Sequence, residues 1–201
     1  MDDPASPITM RLVRARGPQP DERPLDPVRR FVNSRLIEDD VDELGSPAGA
    51  VSWFARQGYG ALDVGDSALA VYRDVRESLR RALEGDGVAL GEINRAMTRY
   101  LPADPRIVAV DAEIIGVMAL AEALDLRFEA LQWILASLWR GAASGELSRL
   151  KICADDRCRS AFYDGSRNRS RAWCTSGGCG NRNRVARHRA RQRASAPGAD
   201  D

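Results

Sequence analysis

Histidine is nearly absent from the chain: His188 is the only one, and it stands among arginines rather than near a serine or cysteine that it could activate. No Ser-His-Asp set is found, which argues against hydrolysis through an activated nucleophile. Glycine-rich phosphate loops are missing too, so nucleotide-driven chemistry has no seat. The longest apolar runs, residues 114–121 and 130–139, are bounded by charge and fall well short of the roughly 20 residues of a membrane-spanning helix. The opening stretch MDDPASPITMRLVRARG has no apolar signal core, so export is not expected and a cytoplasmic location is. Cysteine is absent outside residues 153–179, and no internal repeat is found.

What remains is ordinary for a globular chain: 201 residues, 44% hydrophobic and 29% charged. That suffices for one domain with a real core and a small appended module. The formal net charge of +1 conceals a split. Residues 151–201 hold 12 Lys+Arg against 5 Asp+Glu, giving +7, which leaves 18 against 24, or −6, for residues 1–150. Such asymmetry points to one part meeting a polyanion while the other does not.

Five of the ten prolines lie within residues 1–25, among charges and few large apolar side chains; a disordered arm is expected there, and a short disordered tail over 195–201. Asp26-Pro27 is a helix start signal, and Val28, Phe31, Val32 and Leu36 recur at helical spacing, predicting a helix to about Glu38. Ser46-Pro47 opens a second helix, with Val51, Trp53 and Phe54 inward and Gly58 as its stop. A longer helix starts at Asp66 with Leu69, Tyr72, Val75, Leu79 and Leu83 on one side. Leu90, Ile93, Met97 and Tyr100 mark a fourth, and Leu131, Ile134, Leu135 and Leu138 a last core helix from about Glu129 to Arg140. Residues 106–128 are ambiguous. Strands at 107–110 and 124–128 fit, and so does a buried helix over 114–124. Trp53, Trp133 and Trp139 fall on predicted apolar faces, and the acidic run Asp39, Asp40, Asp42 and Glu43 reads as a solvated turn.

All four cysteines, Cys153, Cys158, Cys174 and Cys179, fit C-x4-C-x15-C-x4-C. Two cysteine loops joined by a spacer can bring four sulfurs onto one tetrahedral Zn²⁺, leaving no position open for water, so the ion would be structural. An even cysteine count also permits two disulfides, which a reducing compartment disfavours. Phe162, Tyr163 and Trp173 are the large side chains of the module and are expected to pack around the site; metal ligation would supply the stability that so small a core lacks.

Eleven arginines share the window 153–193. Arg167, Arg169 and Arg171 alternate with other residues and would share one face of an extended segment. Beyond the last cysteine, residues 181–193 contain no Gly or Pro and should be helical. At the helical period, Arg182, Arg189 and Arg193 share one side and Arg184, Arg187 and Arg191 the other, without an apolar stripe. Such a helix gains order along phosphates.

Cys179-Gly180-Asn181-Arg182, with Phe162-Tyr163-Asp164, the run of residues 166–171 and Trp173-Cys174, closely resembles the CGNR zinc-finger family. Phe31-Val32-Asn33-Ser34 and the helical region that follows, to about residue 149, resemble the ABATE domain that precedes such fingers. The resemblance implies a bacterial, stress-linked transcription regulator with a zinc-dependent DNA-binding end, and metal ligands at Cys153, Cys158, Cys174 and Cys179. Relatives carry a β-hairpin ahead of the last core helix, where residues 106–128 are longer and more apolar here.

The expectation is thus a mainly α protein: a helical domain over 26–149, with room for a small β-hairpin, then a four-cysteine zinc module with a basic C-terminal helix over 150–194. Its function is expected to be transcription regulation rather than catalysis. Nucleic acid is the expected partner, DNA ahead of RNA, in the cytoplasm at the nucleoid. The nine arginines named above (Arg167, Arg169, Arg171, Arg182, Arg184, Arg187, Arg189, Arg191 and Arg193) are the candidate contacts. The helical domain is expected to sense a small-molecule effector or to form a homodimer. Alternatives are an RNA or RNA-polymerase-associated protein, or a zinc-stabilised scaffold for an acidic partner protein.

Overall fold

In the computed structural model of the chain, residues 23–60, 62–101, 105–110, 113–119 and 126–194 are described. The tail 195–201 and most of the expected arm lie outside them. Six helices are present among the described residues, with three two-stranded antiparallel sheets between them. None of these helices is long and apolar enough to cross a membrane.

Helix α1 (Asp26–Val32) buries Pro27, Val28, Phe31 and Val32. It stops well before Glu38, because Ser34 Oγ donates to the Phe31 carbonyl at 2.7 Å and Asn33 turns its amide toward Ala161. Side-chain bonds of this kind offer the backbone an alternative to another helical turn. Leu36, expected on a helix, instead pairs in the hairpin β1 (Arg35–Leu36) and β2 (Val41–Asp42) and is exposed. Helix α2 (Pro47–Arg56) begins as the sequence predicts: Ser46 Oγ accepts from the Gly49 amide at 3.2 Å. Gly58 follows with φ +85°, a conformation that glycine adopts without strain.

Helix α3 (Asp66–Leu83) is the spine of the domain, and Gly85 at φ +97° reverses the chain into α4 (Gly87–Tyr100), capped by Asp86. Phe31, Trp53, Phe54 and Tyr72 meet at its centre, with Phe54 and Tyr72 ring centroids 4.6 Å apart. The Tyr72 hydroxyl donates to the Arg127 carbonyl at 2.8 Å, so the polar tip of this aromatic cluster is satisfied. Helix α4 buries Ala89, Ile93 and Ala96, while Leu90 faces solvent. Strands β3 (Pro105–Val110) and β4 (Glu113–Ala119) form a hairpin, with a bulge between Val108 and Ala109. Residues 114–119 of the alternative helix over 114–124 are therefore strand instead, since β-branched residues over 107–117 favour the pleated state, and 120–124 lie outside the described residues. Over the described part of the alternative strand 124–128 a 3₁₀ turn stands instead, at Leu126–Phe128, and leads into α5 (Glu129–Ala143). Helix α5 buries Leu131, Ile134, Leu135 and Leu138, but Trp139 is 62% exposed and is not core.

Two arginines of α3, Arg76 and Arg80, are each 1% exposed. Arg76 grips Asp42 through both carboxylate oxygens at 2.6 and 2.8 Å and reaches Ser34 Oγ at 3.2 Å. The acidic run is thus only partly solvated: Asp39 and Asp40 are exposed, Asp42 is the counter-ion of a buried guanidinium, and Glu43 pairs with Arg56. Burial alone would raise the Asp42 carboxyl, but the hydrogen bond and charge of Arg76 hold it below its ordinary value.

Leu25, at the end of the expected arm, is 1% exposed and sits against Gly141 of α5. A Cβ at Gly141 would stand 2.2 Å from Leu25 Cδ2 and 2.4 Å from Cγ. Gly141→Ala is expected to lower stability by about 1–3 kcal/mol, the usual cost of overpacking. Urea denaturation reads this, and an unchanged midpoint would show that Leu25 yields its place freely.

Candidate metal centre

Strands β5 (Leu150–Ile152) and β6 (Ala161–Tyr163) pair antiparallel, and the loop between them carries Cys153 and Cys158. Its turn is closed by the Cys158 and Arg159 amides, which donate to the Asp155 carbonyl, and by the Cys153 amide on the Ser160 carbonyl. The second cysteine loop lies alongside, held by the Ala154 amide on the Ala172 carbonyl at 2.9 Å. A wide turn at Ser176–Gly180, with the Gly180 amide on the Thr175 carbonyl at 2.9 Å, brings Cys179 back to Cys174. Gly180 suits this close approach, since a Cβ would come within 3.2 Å of that carbonyl.

The four Sγ atoms all lie within 4.8 Å of one another, and none is in a disulfide. Cys158 to Cys174 and Cys174 to Cys179 are each 3.7 Å apart. A zinc–sulfur distance of about 2.3 Å in a tetrahedron requires sulfurs about 3.8 Å apart, so the donor set fits Zn²⁺ in type, number and spacing. The disulfide alternative is set aside by the same geometry. With four protein ligands no position remains for water, so the zinc is structural. Burial and the neighbouring sulfurs push the Cys174 thiol up to about 11 and the Cys179 thiol higher still without metal. Cys158 is the exception: burial would raise it, but the Ser160 hydroxyl and backbone bring it below its ordinary value. A bound dication favours all four thiolates.

Around the ligands stands a polar shell that only three-dimensional packing reveals. Arg182 Nη2 donates to Cys179 Sγ at 3.1 Å, its Nε to Asp155 Oδ2 at 3.1 Å, and its two terminal nitrogens to both Glu38 oxygens at 2.6 and 3.0 Å. The Glu38 bonds, then those of Asp155, raise Arg182 well above its ordinary value. Asn183 adds Nδ2 to Asp155 Oδ2 at 3.2 Å and to the Cys179 carbonyl at 3.0 Å. Donors of this kind offset thiolate charge and orient the ligands.

A second set of bonds in the module is built on Asp164, whose side chain is fully buried. Its carboxylate accepts from Lys151 Nζ at 2.8 Å, from the Ser166 amide and hydroxyl, and from the Arg171 amide at 2.9 Å. Lys151 also donates to the Arg169 carbonyl. These bonds, Lys151 foremost, hold Asp164 far below the ordinary carboxylate value of 3.8. Because the folded value is depressed, this stabilisation is fully present above about pH 4 and is lost as pH falls toward the folded value. Asp164→Asn should therefore be less stable at neutral pH, and the gap to the parent should close below about pH 4. Denaturation midpoints across pH read this; a gap constant with pH would assign the loss to packing instead.

The arginines named from the sequence separate by position. Residues 166–169 make a turn, with Arg169 at φ +50°, so Arg167, Arg169 and Arg171 do not share a face. Arg167 is exposed, and Arg169 donates to Ser148 Oγ at 2.8 Å. Arg171 turns inward onto the Cys174 carbonyl at 2.6 Å, its guanidinium 5.3 Å from the Phe162 ring. Helix α6 (Asn181–Ala194) forms as the sequence predicts, and every residue from Arg184 to its end is exposed. The Arg187 guanidinium lies 5.2 Å over the Trp173 ring, at whose edge Nε1 is buried without a partner among the described residues.

The module is joined to the helical domain by further bonds that local sequence could not signal. Asn33 and the Ala161 backbone exchange two hydrogen bonds, at 2.7 and 2.9 Å, across 128 positions of chain. Arg80 donates to the carbonyls of Val32 at 2.6 Å, Arg35 at 3.1 Å and Arg159 at 2.6 Å. Arg159 in turn makes a two-point ion pair with Glu84, at 2.8 and 2.5 Å.

No curated protein sequence matches the chain. Two family models do, in the order that the fold sets out. The CGNR zinc finger matches residues 149–192, which hold the four sulfurs, the arginine clamp and most of α6. ABATE, described as "Putative stress-induced transcription regulator", matches residues 25–144, the whole of the helical domain from Leu25 to the end of α5. The chain therefore belongs to the ABATE family, as a regulator-type protein that carries a CGNR zinc finger at its C-terminal end.

Proposed function

We propose that this zinc-finger protein is a DNA-binding transcription regulator of the bacterial cytoplasm, acting at the nucleoid. Its zinc module presents the basic helix to phosphates, and its helical domain senses an effector or dimerises. The observation that carries the reading is the seating of α6. Arg182 and Asn183 clamp its first turn to Asp155 and Cys179, while the rest projects exposed with arginine on opposite sides. A surplus of 12 Lys+Arg over 5 Asp+Glu in residues 151–201 supplies the field.

Not all nine arginines serve alike in this reading. Arg182 and Arg171 are engaged with the Cys179 sulfur, Asp155, Glu38 and the Cys174 carbonyl, so their role toward DNA is to hold the module in shape. Arg187 lies over the Trp173 ring on the side that meets the module, so Arg167, Arg169, Arg184, Arg189, Arg191 and Arg193 remain as phosphate contacts.

With about six phosphate contacts, affinity for duplex DNA should fall with salt at a log-log slope near −5. Fluorescence titration of a labelled duplex at several salt concentrations measures it. Retention that ignores salt would contradict the reading. Tighter binding to structured RNA than to any duplex DNA would favour the RNA alternative.

A further inference from the structure

The azimuths of α6 separate its residues into faces with different chemistry. Setting Arg182 at zero and advancing about 100° per residue, the groups that touch the module, Arg182, Asn183 and Arg187, centre near 90°. The direction away from the protein is therefore near 270°. Four residues fall between about 240° and 300°: Asn181, Val185, His188 and Gln192. All four are exposed. Arginine flanks this strip on both sides, with Arg184 and Arg191 near 180–200° and Arg189 and Arg193 within about 20° of zero.

A helix of about 10–12 Å diameter fits a major groove about 12 Å wide. Placed there with its outward strip toward the bases, the two arginine ridges face the phosphate walls of opposite strands. The strip itself carries what base edges require. Glutamine pairs bidentately with adenine N6 and N7, the histidine ring and the asparagine amide offer further hydrogen bonds, and valine suits a thymine methyl. Val185, 38% exposed on a helix otherwise built of arginine, alanine and polar residues, has no burial reason to be apolar.

We propose that α6 lies in the major groove of duplex DNA with Asn181, Val185, His188 and Gln192 reading base edges and the two arginine ridges holding the opposite backbones. The inference rests on the nucleic-acid reading above and adds the groove and the specificity residues. It also makes a prediction about RNA: the A-form major groove is too deep and narrow for such a helix.

The full zinc-loaded chain is used to select from a random-sequence duplex DNA library. It should enrich a defined motif, and His188→Ala or Gln192→Ala should erase the preference at one or two base pairs while leaving affinity for unselected duplex within about twofold. Replacing both Arg184 and Arg191 by alanine should weaken every duplex and lower the salt slope by about 2 without changing the motif. The selected duplex with 7-deazaadenine, which lacks the major-groove N7, should bind about tenfold more weakly. An unchanged motif in both face variants, or indifference to 7-deazaadenine, overturns the base-reading face. Duplex binding without any enriched motif overturns it too, yet leaves the proposed function standing. Failure to bind any duplex sinks that function itself. Equal affinity for a random RNA duplex would show that the ridges act on charge alone and overturn the groove assignment.

Discussion

Cys179→Ala is expected to bring zinc content from about one ion per chain to near zero and to unfold residues 153–180. The reason is the size of the local core. Its buried members are Cys153, Cys158, Phe162 and Cys179, with Trp173 and Cys174 half-buried against them. Apolar burial on that scale does not offset the ordering of roughly thirty residues, whereas structural zinc contributes on the order of 10 kcal/mol of apparent binding energy. Helix α6 should lose order as well: its 14 residues lack an apolar stripe, and isolated helices of that length are marginal in water. The N-terminal helices should survive, because their aromatic centre and the Arg76–Asp42 pair do not involve the sulfurs. Metal analysis with hydrogen exchange reads both halves. A zinc-free variant with protected amides across the cysteine loops would show that the ion is dispensable.

Arg80→Met is the second large effect expected, a loss of about 3–5 kcal/mol despite similar side-chain volume. The guanidinium is buried and donates to three backbone carbonyls, one at the end of α1, one in β1 and one in the first cysteine loop. Methionine would leave these acceptors without their donor, the Val32 carbonyl in a buried place and the other two partly buried. Burial lowers Arg80 below its ordinary value, with Glu77 opposing, but the group stays cationic at any working pH. Arg159→Ala offers the contrast. It breaks a half-exposed pair with Glu84, for which under about 1 kcal/mol is expected. Thermal denaturation should therefore show a drop of roughly 6–20 °C for the first and little for the second. Similar small losses in both would mean that the domain and the finger are not joined through Arg80.

How far these features could be read in advance depends on the distance between partners. The starts of α2 and α4 are written locally, in Ser46-Pro47 and Asp86, because a cap and the amides it satisfies lie within three residues. The metal centre is legible for a related reason: two cysteine loops of fixed spacing have few uses in one short segment. Helix α1, by contrast, ends early because Asn33 binds Ala161, and no window of neighbouring residues contains that pair. The same applies to Arg182 and Glu38, 144 positions apart, which turn an arginine read as a phosphate contact into a clamp on the zinc site. Arg76 and Arg80 of α3 are buried by partners far along the chain, Asp42 for the first and three carbonyls for the second, so no local window signals their burial. Trp139 shows the reverse error. Helical spacing puts it inward, but the face that α5 buries is centred on Leu131, Ile134, Leu135 and Leu138.

The central claim is that one bound ion sets the origin and direction of a cationic helix toward nucleic acid. Titration of the same labelled duplex with zinc-loaded and chelator-stripped protein, over a range of salt, addresses it most directly. The loaded protein should bind with a slope near −5, and stripping should weaken binding at least about tenfold at equal salt, because the helix must then order as it binds. Equal affinity and equal slope for the two preparations would contradict it.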